Sequence, residues 1–100
     1  IMLRLSGFGQ TGPRAGEPGF AAVAEAYAGL RHLNAEPGRP PVRAGVSLGD
    51  TVAGLTGALG VMLALYQRDA RGANGAGGGQ MIDLALYEAM FNLTESLLPE

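Results

Sequence analysis

Residues 45–68 read GVSLGDTVAGLTGALGVMLALYQR, a short polar lead-in followed by a long apolar run. The run predicts a helix from Thr51 to about Arg68. Asp50 suits its N-cap, because a carboxylate there accepts a hydrogen bond from a backbone N–H that has no partner inside the first turn. Gly54, Gly57, Ala58, Gly60 and Ala64 recur at three- and four-residue spacing. Each glycine costs about 1 kcal/mol of helix propensity relative to alanine, so this smooth stripe implies the close approach of another backbone. Val52, Leu55, Leu59, Met62 and Leu63 cover the other faces. The helix is therefore expected to be apolar nearly all round and central to its domain. Its apolar stretch, Val52 to Tyr66, falls short of the roughly 20 residues a bilayer requires, which favours a buried helix over a membrane span.

Upstream, IMLRLS (1–6) alternates apolar and polar residues and predicts a short strand that runs into the glycine turn GFGQTGP. FAAVAEAYAGLRHL (20–33) predicts a helix with Phe20, Val23, Ala24, Tyr27 and Leu30 on the apolar face and Glu25 and Arg31 outside. NAEPGRPP (34–41) is a loop by its prolines and glycine, and VRAGVSLG is an extended or irregular approach to Asp50. Downstream, RDARGANGAGGG (68–79) is a turn-rich connection and QMIDLAL (80–86) a strand. YEAMFNLTESLL (87–98) is an amphipathic helix with Met90, Phe91, Leu93, Thr94 and Leu97 on or near its apolar face. Strand, helix, helix, strand, helix is an α/β order. The chain opens on Ile1 and stops within an apolar helical pattern, so residues 1–100 are expected to be one partial domain, an internal segment of a longer protein.

A net charge of −2 and the lack of a basic patch with interleaved aromatics argue against nucleic-acid binding. Cysteine is absent and His32 is the only histidine, so thiolate catalysis and a self-contained Cys/His metal site are excluded within these residues. Nothing resembles a signal peptide, and cytoplasm is the expected compartment.

Five features invite a chemical reading. Gly7, Gly9 and Gly12 fit G-x-G-x-x-G after a strand, but Pro13, Gly16, Pro18 and Gly19 prevent a helix from opening there. The acid a dinucleotide site needs could only be Glu36, in a proline-rich loop, so a simple turn is expected. Gly75 and Gly77 to Gly79 lack the Lys-Ser/Thr ending of a phosphate loop and read as linker. GVSLG fits the nucleophile turn of a serine hydrolase around Ser47, but no histidine follows Ser47 to complete a triad. His32, near a helix end, reads as a capping or surface residue. For Asp50 two readings stand side by side. It is a cap, or it is a carboxylate held ionised at a helix N-terminus and able to attack an activated acyl group. Its neighbours Gly49, Ala53 and Gly54 leave room for a bulky substrate.

Five blocks taken in order, SGFGQTGP (6–13), PGF (18–20), the GxPPVRAG stretch ending at Gly45, GDTVAGL (49–55) and GGQMIDLALYEA (78–89), resemble the family III CoA-transferases, the CaiB/BaiF group. The resemblance covers essentially the whole chain and implies an internal piece of an enzyme that forms interlaced homodimers. It implies that Asp50 is the nucleophile, passing through an aspartyl anhydride and an aspartyl-CoA thioester as CoA moves from an acyl-CoA to a carboxylic acid. CoA and acyl-CoA are then substrates, no metal takes part, and neither nucleic acid nor membrane is a partner. The PGF block, with Phe20 and Ala21, would border the substrate. Several such transferases carry an acid where Ala21 stands, so substrate or orientation would differ here. Racemases of the same fold pair an aspartate with a histidine at the position of Phe20, and His32 cannot replace it, which favours transfer over racemisation. A serine hydrolase using Ser47 and an inactive structural fragment are the remaining alternatives.

Overall fold

The computed structural model describes residues 1–72 and 77–94. Two strands, β1 (Met2–Ser6) and β2 (Met81–Ala85), pair in parallel from Met2 opposite Met81 to Ser6 opposite Ala85. Four helices accompany them: α1 (Ala21–Tyr27), α2 (Leu30–Leu33), α3 (Leu48–Gly72) and α4 (Leu86–Phe91). A parallel pair cannot be closed by a tight turn, and here the whole α1–α3 segment forms the crossover. The expected α/β order and both predicted strands are present.

The predicted helix over 20–33 is two helices. Gly29 takes φ +89°, a left-handed backbone that glycine adopts readily, and the chain turns there between α1 and α2. The buried face is also shifted: Ala24 is buried and Val23 and Leu30 are half-buried, as expected, but the other positions differ. Ala21, Ala24 and Glu25 are the buried residues of α1, whereas Phe20 is 64% exposed and Tyr27 also faces outward. Close packing explains the shift. The small side of α1 lies against the start of α3, and a ring on that side would hold the helices apart. Tyr27 instead meets Phe8 and Tyr87 edge-on, with centroids 5.3 and 5.2 Å apart, and Arg14 lies 4.8 Å above its ring.

The helix predicted from Thr51 starts three residues earlier, at Leu48, and reaches Gly72. At 25 residues α3 is long and apolar enough by composition to cross a bilayer, beyond the length its sequence suggested. Nor is it buried all round. Ala53, Gly57 and Ala64 are covered, while Leu55, Leu59, Met62, Leu63 and Tyr66 are exposed. In the predicted stripe, Gly57 and Gly60 make room for side chains rather than for another backbone. A Cβ on Gly57 would come within 2.8 Å of Leu3 Cδ2, and one on Gly60 within 3.6 Å of Ile82, so the helix lies down on the sheet there. Gly54 faces open space.

Ala24, Ala28, Ala53, Leu86, Ala89 and Met90 form the core where α1, α3 and α4 meet. Met90, fully buried, is its largest apolar side chain; burying such a chain is worth about 1.5–3 kcal/mol, so it anchors α4. Of the face expected for the last helix, Met90 and Thr94 are buried, Phe91 and Leu93 are exposed, and Leu97 lies outside the described residues. Part of the 68–79 connection lies outside them too: α3 continues to Gly72, and Gly77 to Gly79 are exposed and belong to no helix or strand.

Candidate functional site

The glycine turn after β1 folds back on itself: a Cβ on Gly7 would sit 2.6 Å from Gly19 Cα. Gly9 adopts φ +82°, and the next amide, Gln10 N–H, donates to both carboxylate oxygens of Asp83 on β2, at 3.1 and 2.9 Å. Gln10 Nε2 donates to Ser6 Oγ at 3.1 Å. No helix opens before Ala21, so this loop is a turn latched to the sheet and not a dinucleotide cradle. Its closure sets the path of the chain into Phe20 and α1.

The start of α1 then meets the start of α3. Gly49 lies so close to Ala21 that a Cβ added to it would be 3.0 Å from Ala21 Cα. Asp50 follows Gly49 in the first turn of α3. Because the helix begins at Leu48, Asp50 is its third residue and not its N-cap. Ser47 stands at the capping position, and its carbonyl accepts the Thr51 N–H at 3.1 Å and the Thr51 hydroxyl at 2.9 Å. The earlier start changes what the carboxylate can do. A capping carboxylate is occupied by backbone donors, whereas the Asp50 carboxylate is exposed and makes no hydrogen bond among the described residues. It stands at the positive end of a long helix with both oxygens available to a ligand.

Of the sequence-predicted residues, Asp50 and Ala21 are brought together through Gly49. Phe20 is not. It points to the opposite side of α1, into an open groove of about 570 Å³ shared with Phe8, Arg14, Tyr27 and Arg31. Ser47 is exposed, and the sole histidine, His32, is exposed in the last turn of α2.

Sequence reasoning missed Glu25. Expected on the outer face of α1, it is 1% exposed. Its Oε1 accepts the Gly49 N–H at 3.4 Å, and its Oε2 lies 3.8 Å from Arg31 Nη2 without a hydrogen-bond partner among the described residues. A signal was present: Glu25 falls on the Ala21, Ala24, Ala28 side at helical spacing, the one carboxylate in a stripe of small residues.

The family model for CoA-transferase family III matches residues 1–100. The succinyl-CoA–D-citramalate CoA-transferase of Chloroflexus aurantiacus is 45% identical over 100 residues, covering 100% of this chain and 24% of that protein. The alpha subunit of the succinyl-CoA–L-malate CoA-transferase of Chloroflexus aurantiacus is 44% identical over 100 residues, 99% of this chain and 22% of the subunit. Among solved structures, a CaiB/BaiF family protein from Brucella suis superposes with a TM-score of 0.87 at 32% identity, over 96% of this chain and 24% of that one. The chain thus spans about a quarter of the length of the relatives it matches.

Proposed function

Since the chain belongs to CoA-transferase family III, we propose that it is the nucleophile-bearing segment of an enzyme that moves CoA from an acyl-CoA thioester to a carboxylic acid, with Asp50 as the attacking group. The observation that carries this reading is the exposed Asp50 carboxylate, free of hydrogen bonds among the described residues and set in the first turn of α3. In the proposed sequence one Asp50 oxygen attacks the donor thioester carbonyl, forming a mixed anhydride and releasing CoA thiolate. The thiolate attacks the aspartyl carbonyl of the anhydride, which frees the donor acid and leaves an aspartyl-CoA thioester. The acceptor carboxylate then displaces CoA thiolate to form a second anhydride. The thiolate takes the acceptor acyl group and restores the Asp50 carboxylate. Each intermediate is itself an activated acyl group, first an anhydride, then the aspartyl thioester, then a second anhydride, so a carboxylate nucleophile conserves the thioester energy. Excluding water protects these intermediates from hydrolysis.

Both Chloroflexus relatives are named for succinyl-CoA and a short hydroxylated dicarboxylic acid. A succinyl donor and an acceptor of that class are the substrates we favour, with Ala21 bordering the acyl group through its contact with the start of α3. The working form is an interlaced homodimer of the full chain, in the cytoplasm. No metal is required, because the nucleophile and the leaving thiolate need no Lewis acid.

The test uses the full natural chain. Incubation with succinyl-CoA, trapping with hydroxylamine and mass spectrometry should place the modification on Asp50. Modification of Ser47 would instead indicate a hydrolase, and racemisation of a 2-methylacyl-CoA without any adduct would indicate a racemase.

A further inference from the structure

The buried carboxylate of Glu25 has no part in the acyl-transfer chemistry, yet it is in contact with the backbone that presents the nucleophile. Taking a carboxylate out of water is costly unless its partners compensate. Here compensation is incomplete: among the described residues Oε1 has one long bond, from Gly49 N–H at 3.4 Å, and Oε2 has none. Arg31 approaches from α2 to 3.8 Å, and its Nε likewise has no hydrogen-bond partner among the described residues. The position therefore serves what it touches rather than the packing of α1.

What it touches is an uncapped helix end. The first amides of a helix have no intrahelical acceptor and fray unless something engages them. In α3 the Leu48 N–H turns back to the Val46 carbonyl at 2.9 Å. Ser47, at the capping position, contributes its carbonyl but no side-chain bond among the described residues. Gly49 N–H is then held from another helix, by Glu25. Gly49 has no side chain, so Ala21 packs directly on it and α1 lies near enough for Glu25 to reach the amide. The next residue is Asp50.

We propose that Glu25 is the positioning residue for Asp50: it caps α3 from α1 through the Gly49 amide and so fixes the turn from which the nucleophile attacks. This rests on the Asp50 reading above. Attack on a thioester needs the carboxylate oxygen aligned within a narrow range of distance and angle, and a small misplacement lowers the rate of attack more than the binding of substrate. Loss of the cap should thus appear in kcat rather than KM.

The experiment compares Glu25→Leu, Glu25→Gln and Glu25→Asp in the full natural chain with succinyl-CoA as donor, measuring kcat, KM, the thermal midpoint and the rate of hydroxylamine-trapped modification at residue 50. Glutamine keeps an oxygen acceptor of the same reach, whereas leucine removes it and aspartate, one methylene shorter, withdraws it. We expect Glu25→Leu and Glu25→Asp to lower kcat and the trapping rate at least tenfold with KM within twofold. Glu25→Gln should retain kcat within threefold of the natural protein. If Glu25→Leu does not fold, Glu25→Asp decides. Natural kcat in a folded Leu or Asp variant, a loss confined to KM, or a Gln variant as impaired as Leu overturns the proposal. Failure of the natural protein to become modified at Asp50 overturns the underlying reading instead, whatever the Glu25 variants do.

Discussion

Gly49 and Ala21 meet backbone to backbone, with only 3.0 Å between Ala21 Cα and the place a Gly49 Cβ would occupy. This contact joins the start of α1 to the start of α3. It explains why the buried side of α1 carries alanines on either side of Glu25. Gly49→Ala cannot be absorbed by a flexible side chain, because the neighbour is backbone. We expect it to destabilise the fold by about 1–3 kcal/mol, the range for overpacking, read as a lower denaturation midpoint, and to reduce acyl transfer by shifting Asp50. A variant of natural stability and rate would show that the first turns of α1 and α3 can separate freely.

Asp50 is exposed and makes no hydrogen bond among the described residues, so its removal should cost little beyond a weak helix-dipole interaction. Asp50→Asn is expected to keep stability within about 0.5 kcal/mol, as for ordinary surface substitutions. It should lower CoA transfer by at least about a thousandfold, the scale of losing a covalent nucleophile. Matched unfolding curves and turnover assays on the full natural chain check both halves.

The glycines of α3 should separate by what lies opposite them. A methyl on Gly60 would meet Ile82 at an ordinary 3.6 Å, so Gly60→Ala should gain most of the roughly 1 kcal/mol of helix propensity. At Gly57 the methyl would press on Leu3 Cδ2 at 2.8 Å. Gly57→Ala should gain less, since Leu3 must move, and Gly57→Val should cost about 1–3 kcal/mol. Thermal or urea unfolding of the three variants gives the order.

Glu17 is held below the usual carboxylate range by its hydrogen bond from Arg14, whose guanidinium also stacks 4.6 Å above Phe8. A carboxyl whose native pKa is depressed stabilises the fold above its unfolded pKa, and the contribution disappears as pH falls through the native value. Glu17→Gln should therefore lower the thermal midpoint slightly at neutral pH. The difference from the natural protein should vanish on acidification below the ordinary carboxylate range. The pair is solvent-exposed, so the effect is small. A difference that grows toward acid pH would contradict this account.

The order of elements and both strands were legible in residues 1–6, 45–68 and 80–86, because period-two alternation and a long apolar run leave few alternatives. Asp50 stood out as soon as five blocks were taken in sequence, since their order is more specific than any one pattern. Local signals also pointed to the turn at Gly7–Gly12, where prolines and glycines exclude a helix. These are short-range properties, carried by neighbouring residues.

The rest depended on which surfaces meet. Hydrophobicity placed Phe20 and Tyr27 inside α1 and Glu25 outside, but the approach of Gly49 admits only small groups on that side, and the carboxylate that came with them found a backbone amide to hold. The same approach moved the start of α3 to Leu48 and turned Asp50 from a cap into an open carboxylate. Sequence alone thus determined the elements and the nucleophile candidate. Tertiary packing decided which faces are buried and whether that carboxylate is free, because close contact between helices depends on side-chain volume across a pair of elements that no single segment encodes.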